Sequence, residues 1–342
     1  MAYTTINKST DYFNTKLYTG NGGTQAMTGV GFQPDWVWTK CRNDSHNHNI
    51  FDAVRGITKR IHSDTTASET TNAESLKSFD SDGFTMGTQT NVNQNSGTYA
   101  SWNWKANGTG SANTDGSISS TVSANTTSGF SIVKYTGTGS AGTIGHGLGT
   151  TPDFIITKRI DGTDSWMNWN KTFTATQYLQ LNETNAVASA STVFGTLPTS
   201  TVYSTGGGTA TGANGGNFIS YCFAEKQGYS KFGSYVGNGN TDGPFNYCGF
   251  KPAFVMAKKT SATGGWQLRD NKRTPTGNLT NNLMYANASS TEQTTDGVDF
   301  LSNGWKLKNS AGDSNASGAT YIFMAFAEAP LVGTNGVTAK AR

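Results

Sequence analysis

Charge is what this chain most lacks. Asp, Glu, Lys and Arg make up only 14% of its 342 residues, against about a quarter in an ordinary soluble domain. The net charge of +3 is small, and no basic block interleaves with aromatics, so the electrostatic footprint of a nucleic-acid binder is missing. Cys41, Cys222 and Cys248 are odd in number, with no CxxC and no framework spacing. They read as buried or incidental thiols of a chain folded in a reducing cytoplasm. No apolar run approaches the ~18 residues of a membrane-spanning helix, so no membrane insertion is expected. The start, Met1 to Ile6, has neither the basic nor the apolar region of a secretory signal. Sustained helical periodicity is absent, and no heptad run is long enough to build a fibre shaft.

What is plentiful is Gly (42 residues), with Thr, Ser and Asn, and aromatics at 11%. Turn formers, β-branched residues and core-forming aromatics together suit an all-β protein and argue against disorder. One pattern is written three times. Tyr18-x-Gly20-x-Gly22…Pro34…Lys40 recurs as Tyr135-x-Gly137-x-Gly139…Pro152…Lys158 and as Tyr235-x-Gly237-x-Gly239…Pro252…Lys258, with Lys always six residues after Pro. The Pro-to-Pro periods of 118 and 100 residues are too long for a solenoid and long enough for each copy to bury a core of its own. A β-run follows each proline, where the missing N–H does not interrupt a ladder. Each copy closes on another strong strand: Thr98–Trp104, Asn217–Phe223, Thr320–Phe326. Trp102 and Trp104, Tyr221 and Phe223, and Met324 and Phe326 are same-face positions expected to line a core.

This predicts three tandem antiparallel β-sandwich domains of jelly-roll-like form: residues 1–106, residues 107–226 beginning with a linker, and residues 227–330, with a C-terminal tail at 331–342. The stretch 106–115 reads as flexible by composition, whereas copies two and three, separated by little, should pack as a rigid pair. The tail is expected to dock on a neighbouring protein. Asp52-x-x-Arg55 and Asp270-x-x-Arg273 stand at equivalent places and suggest local ion pairs; the middle copy has Asn170 and Phe173 there.

Candidate sites are few, and each has a blander reading. His46 and His48, two apart on a β-run, face one way and suit a transition metal if a third ligand exists; no matching set is visible, and a polar surface loop is the alternative. Trp166, Trp169 and Trp266, with Trp36 and Trp38, are candidate glycan- or partner-contacting aromatics, or else core and interface residues. Asp80-Ser-Asp82-Gly83 lacks the later acids of a calcium loop and reads as a hairpin turn. Glu225 and Glu328 sit in separate copies and do not make a glycosidase pair. No nucleophile elbow occurs. No catalytic residue, cofactor or metal is expected, and specific function is expected where the copies disagree, in loops 43–50, 161–170 and 260–266.

The repeated Gly-Phe-x-Pro-Asp-x-Val-x-x-Lys, the Ser78–Phe84 segment Ser-Phe-Asp-Ser-Asp-Gly-Phe, the run Tyr99–Lys105, the segment Thr126–Val133 and the ending Tyr321–Pro330 resemble a repeat domain of marine bacteriophage virion proteins, of structural or tail-fibre-like type. The resemblance extends from about Asp11 to the end of the chain. It implies a non-enzymatic protein of the virion surface, made in the host cytoplasm without a signal peptide, with other virion proteins as partners. Tail-fibre or receptor-binding placement is preferred over capsid decoration, with a host surface glycan as the ligand and a homo-oligomer, a trimer, as the expected assembly. The alternative is a carbohydrate-active depolymerase or a lectin-like glycan-binding module.

Overall fold

The computed structural model describes residues 3–274 and 279–332, the side chain of Asp296 aside. The fold is all-β, and every named strand pairing is antiparallel. Each copy of the sequence pattern builds the same four-stranded unit. An opening strand (Phe13–Thr19, Phe130–Thr136, Ser230–Val236) pairs with the closing strand (Thr98–Trp104, Asn217–Phe223, Thr320–Pro330). The closing strand pairs in turn with the proline strand (Trp36–Cys41, Phe154–Arg159, Phe250–Lys259), and that with a following strand (Asn49–Asp52, Met167–Asn170, Trp266–Asp270). A second layer covers one face of this unit. In copy one it is the sheet of Gln25–Thr28, Gly83–Met86 and Leu76–Asp80; in copy two it is Gly142–Gly145 with Val202–Thr205. In copy three the sheet itself continues through Leu279–Tyr285 and curls over until Phe245–Tyr247 ends it.

The repeated motif does local work. Tyr18, Tyr135 and Tyr235 stack on Tyr99, Phe218 and Tyr321 at 4.8, 5.1 and 4.7 Å. Their hydroxyls donate to Val92, Thr211 and Ser314 carbonyls at 2.8, 2.6 and 2.8 Å, closing a one-turn helix over each sandwich. The next glycine is required by contact: a Cβ on Gly20, Gly137 or Gly237 would lie 2.3, 2.5 or 2.3 Å from a backbone carbonyl oxygen.

Side chains alternate across each strand, and here both faces are buried. In copy one Val37 and Tyr99 enter the core between the two layers, while Trp36, Trp38, Trp102 and Trp104 enter a second core shared by all three copies. From copy two come Phe130, Phe154, Tyr221 and Phe223, and from copy three Phe232, Phe254, Met324 and Phe326. At its centre the equivalent residues Trp104, Phe223 and Phe326 face one another in a triangle with centroid separations of 6.5, 5.9 and 5.5 Å. The copies therefore stand around an approximate three-fold axis, and copy three packs against copy one to close a ring. Thr4 and Pro330, near the two ends of the ring, both lie against Gly228.

This differs from beads on a linker. Residues 106–115 are held: Asp35 accepts the N–H groups of Ala106 and Gly108 at 2.7 and 3.1 Å, Ser123 Oγ accepts Asn107 N–H at 2.8 Å, and Ser111–Asn113 joins the sheet of copy two. The equivalent Asp153 takes the Glu225 N–H at 2.6 Å. These carboxylates turn the chain out of one closing strand toward the next copy. Copy three has Ala253 instead, and its closing strand runs straight on to Pro330. Beyond Val332 the tail expected to dock on a neighbour falls outside the described residues.

Candidate functional site

The residues with the most distinctive chemistry gather at the three seams of the ring, where the same contacts recur. Glu69 N–H donates to Ile160 O, Val187 to Thr260 O, and Glu292 to Arg42 O, at 2.8, 2.9 and 2.8 Å. The second contact involves a side chain fourteen residues after each proline, which is His48, Trp166 or Trp266. Trp166 Nε1 donates to His62 O and Trp266 Nε1 to Gln180 O, both at 2.8 Å. His48 Nε2 meets Tyr285 O at 3.0 Å. Its Nδ1 accepts from Trp38 Nε1 at 2.8 Å, so Nε2 carries the proton and donates as the indoles do. Burial, with Lys40 adding to it, holds the His48 pKa well below the usual histidine range and keeps the ring neutral.

The repeated lysines close the loops beside these seams. Lys158 Nζ donates to four carbonyls, those of Arg159, Gly162 and Asp164 and, across the seam, Thr66. Lys258 donates to its neighbour Lys259 and, across the seam, to Thr184 and Asn185. Lys40 donates to Cys41 and Asp44. Burial pushes all three down to about 8.

Two seams also carry a buried ionic set. Arg55 Nε meets Asp52 Oδ2 at 2.5 Å and its Nη1 meets Glu69 at 3.2 Å, and Tyr221 of copy two donates to the same Asp52 oxygen at 2.7 Å. Burial works against the Arg55 charge, but Asp52, Tyr221 and Glu69 around it together more than offset this and the pKa is raised. In copy three, Arg273 meets Asp270 at 2.6 Å and Glu292 at 3.0 Å, and Trp102 of copy one donates to Asp270 at 3.0 Å. Arg42 of copy one adds a second ion pair to Glu292 at 2.8 Å. The expected Asp-x-x-Arg pairs are thus present, but as parts of networks that cross between copies. The seam between copies two and three has Asn170, Phe173 and Val187 in those places. Facing them, Met324 stands where the other seams have a hydrogen-bond donor, and Asn170 Nδ2 is buried without a partner. Such ionic sets add little stability over a well-packed apolar set but penalise any arrangement that leaves one charge alone. Their physical effect is to specify which copy sits beside which.

The glycan and partner candidates are therefore placed inside the molecule. Trp166, Trp266, Trp36 and Trp38 are at most 1% exposed. Trp169, on the opposite side of its strand from Asn168 and Asn170, is buried in copy two and donates to Thr174 O at 3.2 Å. His48 is fully buried, whereas half-buried His46 turns to Gln94 Oε1 at 2.6 Å, so the two imidazoles do not converge. Among the described residues no three His, Cys, Asp or Glu side chains are grouped to hold a metal, and no helix is long and apolar enough to cross a membrane. The three cysteines are buried and free. Loops 43–50, 161–170 and 260–266, expected to hold what distinguishes the copies, are equivalent segments that build the seams.

The model of one protein family, described as a domain of unknown function (DUF7483), matches residues 8–330. The chain belongs to that family. The span matched to DUF7483 contains all three copies, so the unit that the family describes is the whole ring. No curated protein and no solved structure matches the chain.

Proposed function

We propose that this protein is a non-enzymatic structural component of the outer surface of a bacteriophage particle, a globular tip or decorating body. The observation that carries the reading is the shared aromatic core. It fuses three copies into one body and draws the histidines, tryptophans, arginines and acids that sequence singles out into seams between them. Side chains so engaged hold shape. The resemblance of the repeated motif to virion proteins supplies the setting, with tail-fibre or receptor-binding placement preferred over capsid decoration; a compact ring suits a tip better than a shaft.

The approximate three-fold axis lies within a single chain, which supports one chain at a three-fold position as an alternative to a homotrimer. Sedimentation at high concentration separates the two. Immunogold labelling or cryo-EM of particles tests the main reading: density on the tail tip supports it, density on the head moves the placement, and absence from purified particles refutes it. Release of reducing ends from host polysaccharide by the purified protein would establish the depolymerase alternative instead.

A further inference from the structure

The seam that lacks the ionic set holds a cavity of about 300 Å³. Phe173, Gln177 and Val187 of copy two and Ser234, Thr260 and Thr320 of copy three form most of its wall. The register of the repeats explains why space exists there. In the seam between copies one and two the matching places hold Arg55, Lys59, Glu69 and Lys134, all longer or charged, and the first three form ion pairs there, Arg55 with Glu69 at 3.2 Å and Lys59 with Glu69 at 3.6 Å. At the third seam the place of Ser234 is taken by Leu17, packed against the shared core. Every substitution in the seam between copies two and three runs toward a shorter or uncharged side chain: Phe for Arg, Gln for Lys, Val for Glu, Ser for Lys or Leu.

What remains has a definite chemistry. No wall residue carries a charge, so neither an anion nor a cation would find a counter-charge in a partly enclosed site, where an unpaired charge is costly. Hydroxyls are dense: Thr260 Oγ1 pairs with Thr320 Oγ1 at 2.7 Å, and Ser234 and Thr172 add two more. Thr172 donates to Asn170 Oδ1 at 2.8 Å, next to the unpartnered Asn170 Nδ2. Gln177 Oε1 accepts the Thr174 N–H at 2.9 Å, leaving its Nε2 as a donor. Phe173, Val187 and Ile322 supply apolar surface. Hydroxyl and amide groups beside an aromatic ring, without charge, match a sugar ring with its polar rim and apolar face. The volume is at the small end of ligand sites and suits one ring.

We infer that this cavity binds a single neutral sugar residue, free or at the end of a glycan. The inference rests on the cavity and is independent of where the protein resides. The test is saturation-transfer NMR and titration of the full chain with glucose, galactose, mannose and N-acetylglucosamine, each compared with glucuronate as a charged probe. At least one neutral sugar should receive saturation, and glucuronate should not. Ser234→Leu, which copies the residue of copy one, should weaken that binding at least tenfold. The triple variant Asn170→Asp, Phe173→Arg, Val187→Glu, which rebuilds the ionic set of the other seams, should do the same while melting cooperatively. The triple variant decides the matter if Ser234→Leu does not fold. No binding by any neutral sugar, equal binding of glucuronate, or binding untouched by the filled variants overturns the inference.

Discussion

Converting one ionic seam into the apolar kind tests whether the seam residues act as a set. In the seam between copies one and two, Arg55 and Asp52 are at most 1% exposed as side chains. Arg55→Phe alone would leave the Asp52 carboxylate buried with only the Tyr221 hydroxyl and the Arg55 backbone N–H as donors. Removing one partner of a buried pair costs about 3–5 kcal/mol. Melting entropy of about 2.1 cal/mol/K per residue over 342 residues comes to about 0.7 kcal/mol/K. The expected fall in Tm is therefore about 4–7 °C by scanning calorimetry. Asp52→Asn alone should cost a similar amount, because the only carboxylate Arg55 then keeps is Glu69, at 16% side-chain exposure, beside the Ile50 and Lys59 carbonyls. The triple variant Asp52→Asn, Arg55→Phe, Glu69→Val installs what copy two carries and leaves no buried charge unpaired in the seam, since Lys59, which loses Glu69, is 38% exposed and keeps the Thr71 hydroxyl. Wholesale replacement of buried ion sets is often neutral or stabilising, so its Tm should return to within about 2 °C of the parent. A triple variant as unstable as Arg55→Phe would refute the reasoning, as would a single variant that melts like the parent.

Acid should loosen the seam between copies three and one. His48 has a folded pKa below its unfolded value of 6.5, so as pH falls below about 6.5 the unfolded chain takes up a proton that the folded chain refuses, and stability drops. Lys40, His62 and Arg273 act on His48 in the same sense; His62 and His146, also lowered by burial, add to the slope, while Asp64, raised to about 6 by burial, opposes it between 3.8 and about 6. His48→Gln keeps an acceptor for Trp38 and a donor for Tyr285, and urea titrations from pH 7 to 5 should show a dependence shallower by up to one proton, about 1.4 kcal/mol per pH unit. A circular permutant that joins Pro330 to Tyr3 through a short Gly-Ser linker and opens the chain between Thr109 and Gly110 should fold and melt in one transition; two transitions would mean that copy one is only tethered. Gly137→Ala drives a Cβ to within 2.5 Å of the Ala213 carbonyl oxygen and should cost about 2–3 kcal/mol, the scale of an overpacked site, measured by chemical denaturation.

Much of the fold is legible in the residues, because the period-two pattern, the strand-starting prolines and the turn glycines are local signals. The Asp-x-x-Arg pairs are legible for the same reason. The ring is not. Its deciding contacts, Trp102 with Asp270 or Trp166 with His62, join residues far apart in sequence, and the Gly-, Ser- and Asn-rich stretch 106–115 reads as flexible because composition does not reveal that Asp35 will hold it. One signal does announce the shared core: Trp36-Val-Trp38, Phe154-Ile-Ile156 and Phe254-Val-Met256 are continuous apolar runs with no polar alternation, the mark of strands covered on both faces. A single sandwich covers only one. The equivalence of His48 with Trp166 and Trp266 is likewise present in the spacing from proline, but imidazole and indole look unrelated until both are seen donating one ring N–H to a carbonyl of the adjoining copy.

The pattern of divergence also identifies the seam as the structural unit. If the copies were independent, each would keep or lose its own network. Copy two has Asn170, Phe173 and Val187 in place of an Asp, an Arg and a Glu, and the change that answers them lies in copy three, where Met324 replaces the donor that Tyr221 and Trp102 provide elsewhere. A donor opposite Asn170 would still be tolerated, but it would no longer have a carboxylate to hold. The loss on one side removes the reason for the group on the other, and the two sides belong to different copies. The same seam carries the cavity, since Ser234 and Thr260 come from copy three while Phe173 and Val187 come from copy two. Two seams keep charged sets that fix the order of the ring, and with the order fixed the third is released from that task. That release is what makes the seam between copies two and three the place where a ligand site can form without endangering the fold.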